Sequence, residues 1–472
     1  MKALSWVIAL AVLLPLAARA DELSDLKAQL DAAMKSIQTL QQRVEALEAE
    51  KAKGAAAAAP AGAPAGAPAA APTAAGAPAG VEQKAAAAPA VTAAGGPVVA
   101  PNEKPIEGQP DQNKARLELY GFVQADFTQG FKLMNPDWYS AVRPSQIPVN
   151  CPGDAGCGAD GYTNFSIKQT RLGVNGYTPT PAGEVRGQFE FDLFGVGVDA
   201  GQTTIRVRQA WASLGQFLIG QTNSLFMDGD VFPNTIEYWG PSGMIFFRNI
   251  QARWTPIDKD GHKFAVALEN PGTVVDTTSA GMANISAHNT LPDLTAQYRM
   301  DRDWGHLQVA GILRSLGYDT PSAPGGNPSG SKTGYGLNLA GSYNTFGKDK
   351  LNAQLAYGKG IANYSNDCCV DLASNAAGSP EAVPLLDWLL YYDHWWSDTL
   401  SSSVGYSRNF QSNTSGQAAT AQRAGQYSSV NLLWYPVRNV MTGVELIWAE
   451  RENSNGASAN DTRIQFSGQY KF

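Results

Sequence analysis

The chain has 472 residues and holds little cysteine, histidine or charge: 4 Cys, 4 His, and 16 % Asp, Glu, Lys and Arg together. Beyond the N-terminus it lacks any apolar run of about 18 residues, the length a membrane-crossing helix needs. A helical membrane protein is thereby excluded. A transmembrane barrel is not, because its apolar surface is spread through an alternating pattern. There is no basic excess either: 35 Lys and Arg stand against 42 Asp and Glu, a formal net charge of −7. Nucleic-acid binding rests on clustered Lys and Arg and is disfavoured. A Walker loop, an HExxH motif and a nucleophile elbow are all missing. No His flanks Cys151 and Cys157, or Cys368 and Cys369, at metal-ligand spacing, so no metal or other cofactor is expected.

What is present begins with an address. Lys2 supplies a positive start, Trp6 to Leu16 an apolar stretch, and Ala18-Arg19-Ala20 a small-x-small cleavage pattern. Residues 1–20 read as a signal peptide, and the mature chain enters an oxidising compartment that suits cysteine bridges. Cys151 with Cys157 is the easy pairing. Adjacent cysteines form a strained bridge, so Cys368 and Cys369 leave the overall pairing open.

Residues 21–53 carry a heptad seam. Leu23, Leu30, Ile37 and Val44 alternate with Leu26, Ala33, Leu40 and Leu47 at 3,4 spacing. So narrow a stripe needs partner helices, which argues for an oligomer, but the mixed seam residues do not fix the number of strands. Residues 54–114 are dominated by Ala, Pro and Gly and read as a disordered linker.

From residue 115 to 472 the period changes to two. In 183–194, Val185, Phe189, Phe191 and Leu193 alternate with Glu184, Arg186, Gln188, Glu190 and Asp192. Sixteen such segments occur, near 116–128, 164–177, 183–194, 203–214, 217–226, 245–256, 263–270, 291–300, 305–318, 333–346, 349–359, 383–396, 398–409, 426–436, 440–451 and 461–472. Short turns follow even-numbered segments and longer loops follow odd-numbered ones. This spacing predicts an all-β transmembrane barrel of sixteen antiparallel strands, behind a short coiled-coil helix and a disordered Ala/Pro linker. A soluble sandwich would also alternate. The charged polar faces favour a wet interior, and Tyr177, Trp254 and Trp434, each shortly before a Pro at a short-turn end, favour an interfacial girdle. The final strand, with Ile464, Phe466, Tyr470 and Phe472 on one face, looks like the assembly signal of outer-membrane barrels.

Arg171, Arg186, Arg206, Arg208 and Arg253 share the inward phase, as do Arg299, Arg314 and Arg463. Guanidinium groups hold carboxylates and phosphates by paired hydrogen bonds, so a ring of them would attract anions. Glu184, Glu190 and Asp192 face the same interior, so wall pairing competes with solute contact. One hydrolytic alternative exists: His394 with Ser401 or Ser403 across the turn. Its neighbours Tyr391, Tyr392, Trp395 and Trp396 argue instead for a girdle position.

This layout resembles the DcaP-like trimeric outer-membrane porins. The likeness is sharpest in Ile205-Arg-Val-Arg-Gln-Ala-Trp-Ala-Ser-Leu214 and Leu218-Ile-Gly-Gln-Thr-Asn-Ser-Leu-Phe-Met-Asp228. A weaker resemblance is to phosphate-selective porins. The resemblance implies a homotrimer in the bacterial outer membrane, a periplasmic coil, and uptake of small anionic, dicarboxylate-like solutes. In sixteen-stranded porins the loop after the fifth strand commonly folds inward. Here it spans 227–244 and brings Asp228, Asp230 and Glu237, acids that weigh against anion preference. Arg171, Arg186, Arg206, Arg208, Arg253 and these three acids are the expected pore-lining set, with no catalytic residue. The rival readings are an envelope tether reaching peptidoglycan through the coil, and an adhesin or receptor on a closed barrel.

Overall fold

The computed structural model describes residues 114–195, 204–320 and 329–472. The signal peptide, the coil and the linker up to residue 113 lie outside the described residues. Sixteen long strands follow in chain order. They are β1 (Arg116–Gly130), β2 (Arg171–Thr180), β3 (Gly183–Asp192), β4 (Arg206–Leu214), β5 (Phe217–Asn223), β6 (Arg248–Lys259), β7 (His262–Glu269) and β8 (Asp293–Arg302). The second half comprises β9 (Gly305–Asp319), β10 (Gly330–Asn344), β11 (Lys350–Lys359), β12 (Pro384–Ser397), β13 (Leu400–Gln411), β14 (Gln422–Trp434), β15 (Val440–Asn453) and β16 (Ser458–Lys471). Each pairs antiparallel with the next. β1 also pairs with β16, placing Phe127 opposite Phe466 and Ala125 opposite Gly468. That last ladder closes the sheet and removes its edges, the condition for a β-structure to cross a bilayer.

The alternation runs inside out relative to a soluble protein. Leu337 and Leu339 are exposed on the outer face, whereas Asn338 between them is buried. On β16, Phe466 and Tyr470 face outward while Arg463, Gln465 and Ser467 are buried within. A soluble sandwich would bury the first set. Trp254, Trp396, Trp434 and Tyr343 are exposed near the short-turn ends, as an interfacial girdle requires.

Three expectations need correction. The segment 164–177 is two pieces, Tyr162–Ser166 and β2. Both pair with β1, but four residues separate Ser166 from Arg171 where β1 has three between Phe122 and Asp126. The extra residue makes a bulge, and Gln169 turns inward to donate to Asp126 and to the Ile236 carbonyl. β5 stops at Asn223, short of 226, because Glu269 accepts from the Ser224 hydroxyl and the Leu225 amide and draws the chain inward. The last odd-numbered connection, 454–457, is shorter than the turn at 435–439, so the alternation of turn lengths fails there.

Cys151 is bonded to Cys157, and Cys368 to Cys369. Both bridges lie in connections on the long-loop side.

The outward face yields a direct test. Leu337 sits at the middle of β10, so Leu337→Arg is expected to cost about 2–4 kcal/mol of membrane stability, as lipid-facing Arg does at midplane. Urea titration of refolding into phospholipid vesicles reads the shift. An unchanged midpoint would mean that this face does not meet lipid.

Candidate functional site in the barrel lumen

The connection between β5 and β6, residues 224–247, enters the barrel. Its backbone is held by the wall on almost every side. Asn338 of β10 donates to the Phe226 carbonyl at 2.8 Å, and Gln308 of β9 to the Met227 carbonyl at 2.9 Å. Asp393 of β12 accepts from the Asn234 amide, and Glu445 of β15 from the Ile236 amide at 2.6 Å. Gln465 of β16 donates to the Ile236 carbonyl, and the Tyr238 hydroxyl donates to Asp192 of β3 at 2.9 Å. Gly243 passes so close to the wall that a Cβ would overlap the Arg408 and Trp388 carbonyls. An irregular segment in a lumen must satisfy its own amides and carbonyls, and inward-facing polar side chains do this here.

Two further loops meet this one. The Phe246 amide donates to the Tyr364 carbonyl, and Trp239 and Asn366 exchange side-chain-to-backbone bonds at 3.0 and 2.8 Å. Arg143, from the connection after β1, is bonded to Asp367 and lies over both Trp138 and Trp239. Apolar loop residues Phe226, Met244, Ile245 and Phe246 pack with inward-facing Ile312, Leu385, Leu389 and Ile447. The barrel therefore contains a second, apolar core. Leu385 and Leu389 break the polar inward phase of β12, and that break is the sequence signal for it. Tyr364 lies in this core. Burial, with Glu269 and Asp293 beside it, pushes its phenol well above the ordinary range. It therefore stays protonated, with its hydroxyl 2.9 Å from Asp293 and 3.3 Å from Glu269.

The expected site residues fall into separate groups. Arg171, Arg206 and Arg208 stand together on β2 and β4 against the β3 carboxylates. Arg206 is 2.6 Å from Asp192, Arg208 is 2.7 Å from both Glu190 and Asp192, and Arg171 is 3.7 Å from Glu190. Asp228 and Asp230 are at the β8–β9 wall. Asp228 is 2.7 Å from His306 and 3.5 Å from Arg299, and Asp230 is 2.7 Å from Arg299. Glu237 is buried beside β16, 3.0 Å from Arg463, and accepts from the Val142 and Gly240 amides. Arg186 and Arg253 lie toward the short turns, where they line a cavity of about 700 Å³ with Lys259, Lys263 and Asp258. Arg186 shares Glu184, whereas among the described residues Arg253 donates to neutral groups, Gln251 Oε1 and the Asn223 carbonyl. Arg314 pairs with Asp293 and Asp371 and so joins the wall to the loop after β11.

One arginine escapes the sequence pattern. Arg248 opens β6, and strict alternation from Arg253 would turn it outward. It is instead buried, with its guanidinium facing the Arg208 group. None of its three guanidinium nitrogens has a hydrogen-bond partner among the described residues.

Catalytic geometry is poor. His394 is bonded to Asp349 at 2.7 Å, whereas Ser401 and Ser403 are buried on the opposite face of the sheet. Ser342, His306 and Asp228 do form a chain, at 2.9 and 2.7 Å. However, Ser342 lies near the end of β10, laddered to His306 of β9 and Asn352 of β11, where backbone amides are engaged in the sheet rather than gathered into an oxyanion hole. Among the described residues no cluster of His, Cys, Asp and Glu could hold a metal.

A closed sixteen-stranded barrel with an apolar exterior and a loop folded across its lumen defines an outer-membrane porin-type channel. The DcaP outer membrane protein family model matches residues 98–472, and the chain belongs to that family. Among solved structures, the outer-membrane channel DcaP of Acinetobacter baumannii superposes with a TM-score of 0.67 at 22 % identity, covering 78 % of this chain and 100 % of that one. OmpF of Salmonella typhi, in a complex with daunomycin, gives 0.51 at 12 % identity over 77 % of this chain and 99 % of that one. These two likenesses concern the fold. A search of curated protein sequences finds no match.

The Glu237–Arg463 pair should hold the inward loop in place. Glu237→Gln leaves the buried Arg463 charge without its partner, a change that typically costs about 3–5 kcal/mol. The Val142 and Gly240 amides are then expected to exchange with deuterium roughly 100-fold faster or more, each 1.4 kcal/mol of local stability being about tenfold. Unchanged exchange would show that the loop is held without this pair.

Proposed function

We propose that the protein is a passive diffusion channel for small hydrophilic anions of the dicarboxylate type, working as a homotrimer in the outer membrane with its coil, residues 21–53, in the periplasm. The observation that carries the proposal is the charge at the short-turn mouth. Arg186, Arg253, Lys259 and Lys263 line that cavity, with Asp258 as the one acid among its lining residues. Glu184, Asp260 and Asp258 lie beside Arg186, Lys259 and Lys263, while the partners of Arg253 are neutral. Such a mouth raises the local concentration of anions and lowers that of cations.

The acids that argue against anion preference have other partners. Asp228 and Asp230 share Arg299, and Glu237 is taken by Arg463 and two amides. A paired carboxylate presents little field to a passing solute. The loop across the lumen supplies the narrowing that makes wall charge felt, because field strength falls steeply in open water. Solutes move down their gradient, so no covalent step and no cofactor enter. The heptad coil fits an obligate oligomer, and the trimer follows from the resemblance in coil and barrel layout.

The test is reversal potential in a planar bilayer under a KCl gradient. Anion preference with conductance closing in steps of three is the expected result. Neutralising the mouth with Arg253→Gln and Lys263→Gln should move the reversal potential toward zero. A cation-preferring wild type would overturn the proposal, and so would a folded barrel without conductance.

A further inference from the structure

We infer that a small oxyanion binds in the lumen against Arg248, at the point where the inward loop rejoins the wall. The inference deepens the anion-channel reading and rests on it for the solute class, but the site itself stands on separate observations.

Arg248 is 5 % exposed and none of its guanidinium nitrogens is bonded among the described residues. Its nearest ring is Phe246, 5.6 Å from the guanidinium carbon, which offers a π face and no acceptor. Among the described residues, the charged groups that face it are Arg171 from β2, Glu190 and Asp192 from β3, and Arg206 and Arg208 from β4. Four guanidinium groups therefore surround two carboxylates. Neither carboxylate is available to Arg248. Asp192 already accepts from Arg206, Arg208, the Tyr238 hydroxyl and the Phe194 amide. Glu190 accepts from Arg208 and the Tyr120 hydroxyl and faces Arg171. A carboxylate has about four lone-pair directions, so these two are close to saturated.

A buried guanidinium without acceptors is strongly unfavourable, and three like charges nearby make it more so. A fold retains such a group where something supplies the missing acceptors. The group that answers both the charge and the geometry is an oxyanion, since the guanidinium fork matches carboxylate, sulfate or phosphate oxygens two at a time. Glu190 and Asp192 also fix the other arginines, so the fork of Arg248 is held ready by its neighbours. Tyr238 ties the inward loop to Asp192 in the same cluster, which places the bound anion at the narrowing.

The full-length protein, folded in detergent, can be titrated calorimetrically with sodium sulfate and with sodium succinate. Saturable binding of either is expected, weakened at least tenfold by Arg248→Gln. Arg248→Lys should fall between the two, because it keeps the charge and loses the fork. Equal binding by wild type and a folded Arg248→Gln barrel would overturn the inference and leave water as the partner of Arg248. Should the Gln variant not fold, undiminished binding by Arg248→Lys overturns it equally. The two proposals fail separately. Cation preference in the bilayer with sulfate binding through Arg248 sinks the channel reading and keeps the site. Anion preference with binding indifferent to Arg248 does the reverse.

Discussion

Everything in this molecule depends on the ladder between β1 and β16. A sheet in hydrocarbon cannot leave an edge, because no water is there to satisfy its amides and carbonyls. Once Phe127 is set opposite Phe466, every strand has two neighbours, and the pleat sends alternate residues to opposite solvents. The outer set must then be apolar and the inner set is free to be polar. That freedom is what the inward loop uses.

The inward loop is held mainly by polar side chains that accept from, or donate to, its backbone. Glu445, Asp393 and Glu269 take amides, while Gln308, Asn338 and Gln465 reach carbonyls. A segment without regular structure thus has its hydrogen bonds completed by the wall, as a helix or strand completes its own. The apolar side chains of the same segment then pack on Leu385, Leu389 and Ile447. Two kinds of contact fix one loop, and a solute must pass what they leave.

The barrel was legible because period two is a local property. Sixteen segments could be counted from residues two apart, and their boundaries shifted by only a few positions. The bulge between Ser166 and Arg171 was not legible, since one inserted residue is invisible until both strands are aligned. The course of the inward loop was not legible either. Its partners lie on strands from β3 to β16, and no local pattern reports contacts so distant in sequence. Parity served well for Arg206 and Arg208 but does not reach Arg248, because alternation holds within a strand and weakens at its first residue. Leu385 and Leu389 carried a readable warning: apolar residues in an inward phase mean that something apolar lies inside.

Counting arginines overstates the charge that a solute meets. Arg314 and Arg463 are paired with buried carboxylates and act as fasteners between loops and wall. On the anion-channel reading, the cations whose partners are neutral or missing contribute most to the field that a solute meets. Arg253 is bonded to an amide and a carbonyl, and Arg248 to nothing among the described residues. They stand five positions apart on β6, one at the narrowing and one near the short-turn mouth. An anion leaving the first would meet the second within about 17 Å along the strand, at roughly 3.4 Å per residue. On the proposed anion-channel reading, two weakly compensated cations spaced along one wall would make a path in which each site attracts and neither traps, the condition that permits both selectivity and flux.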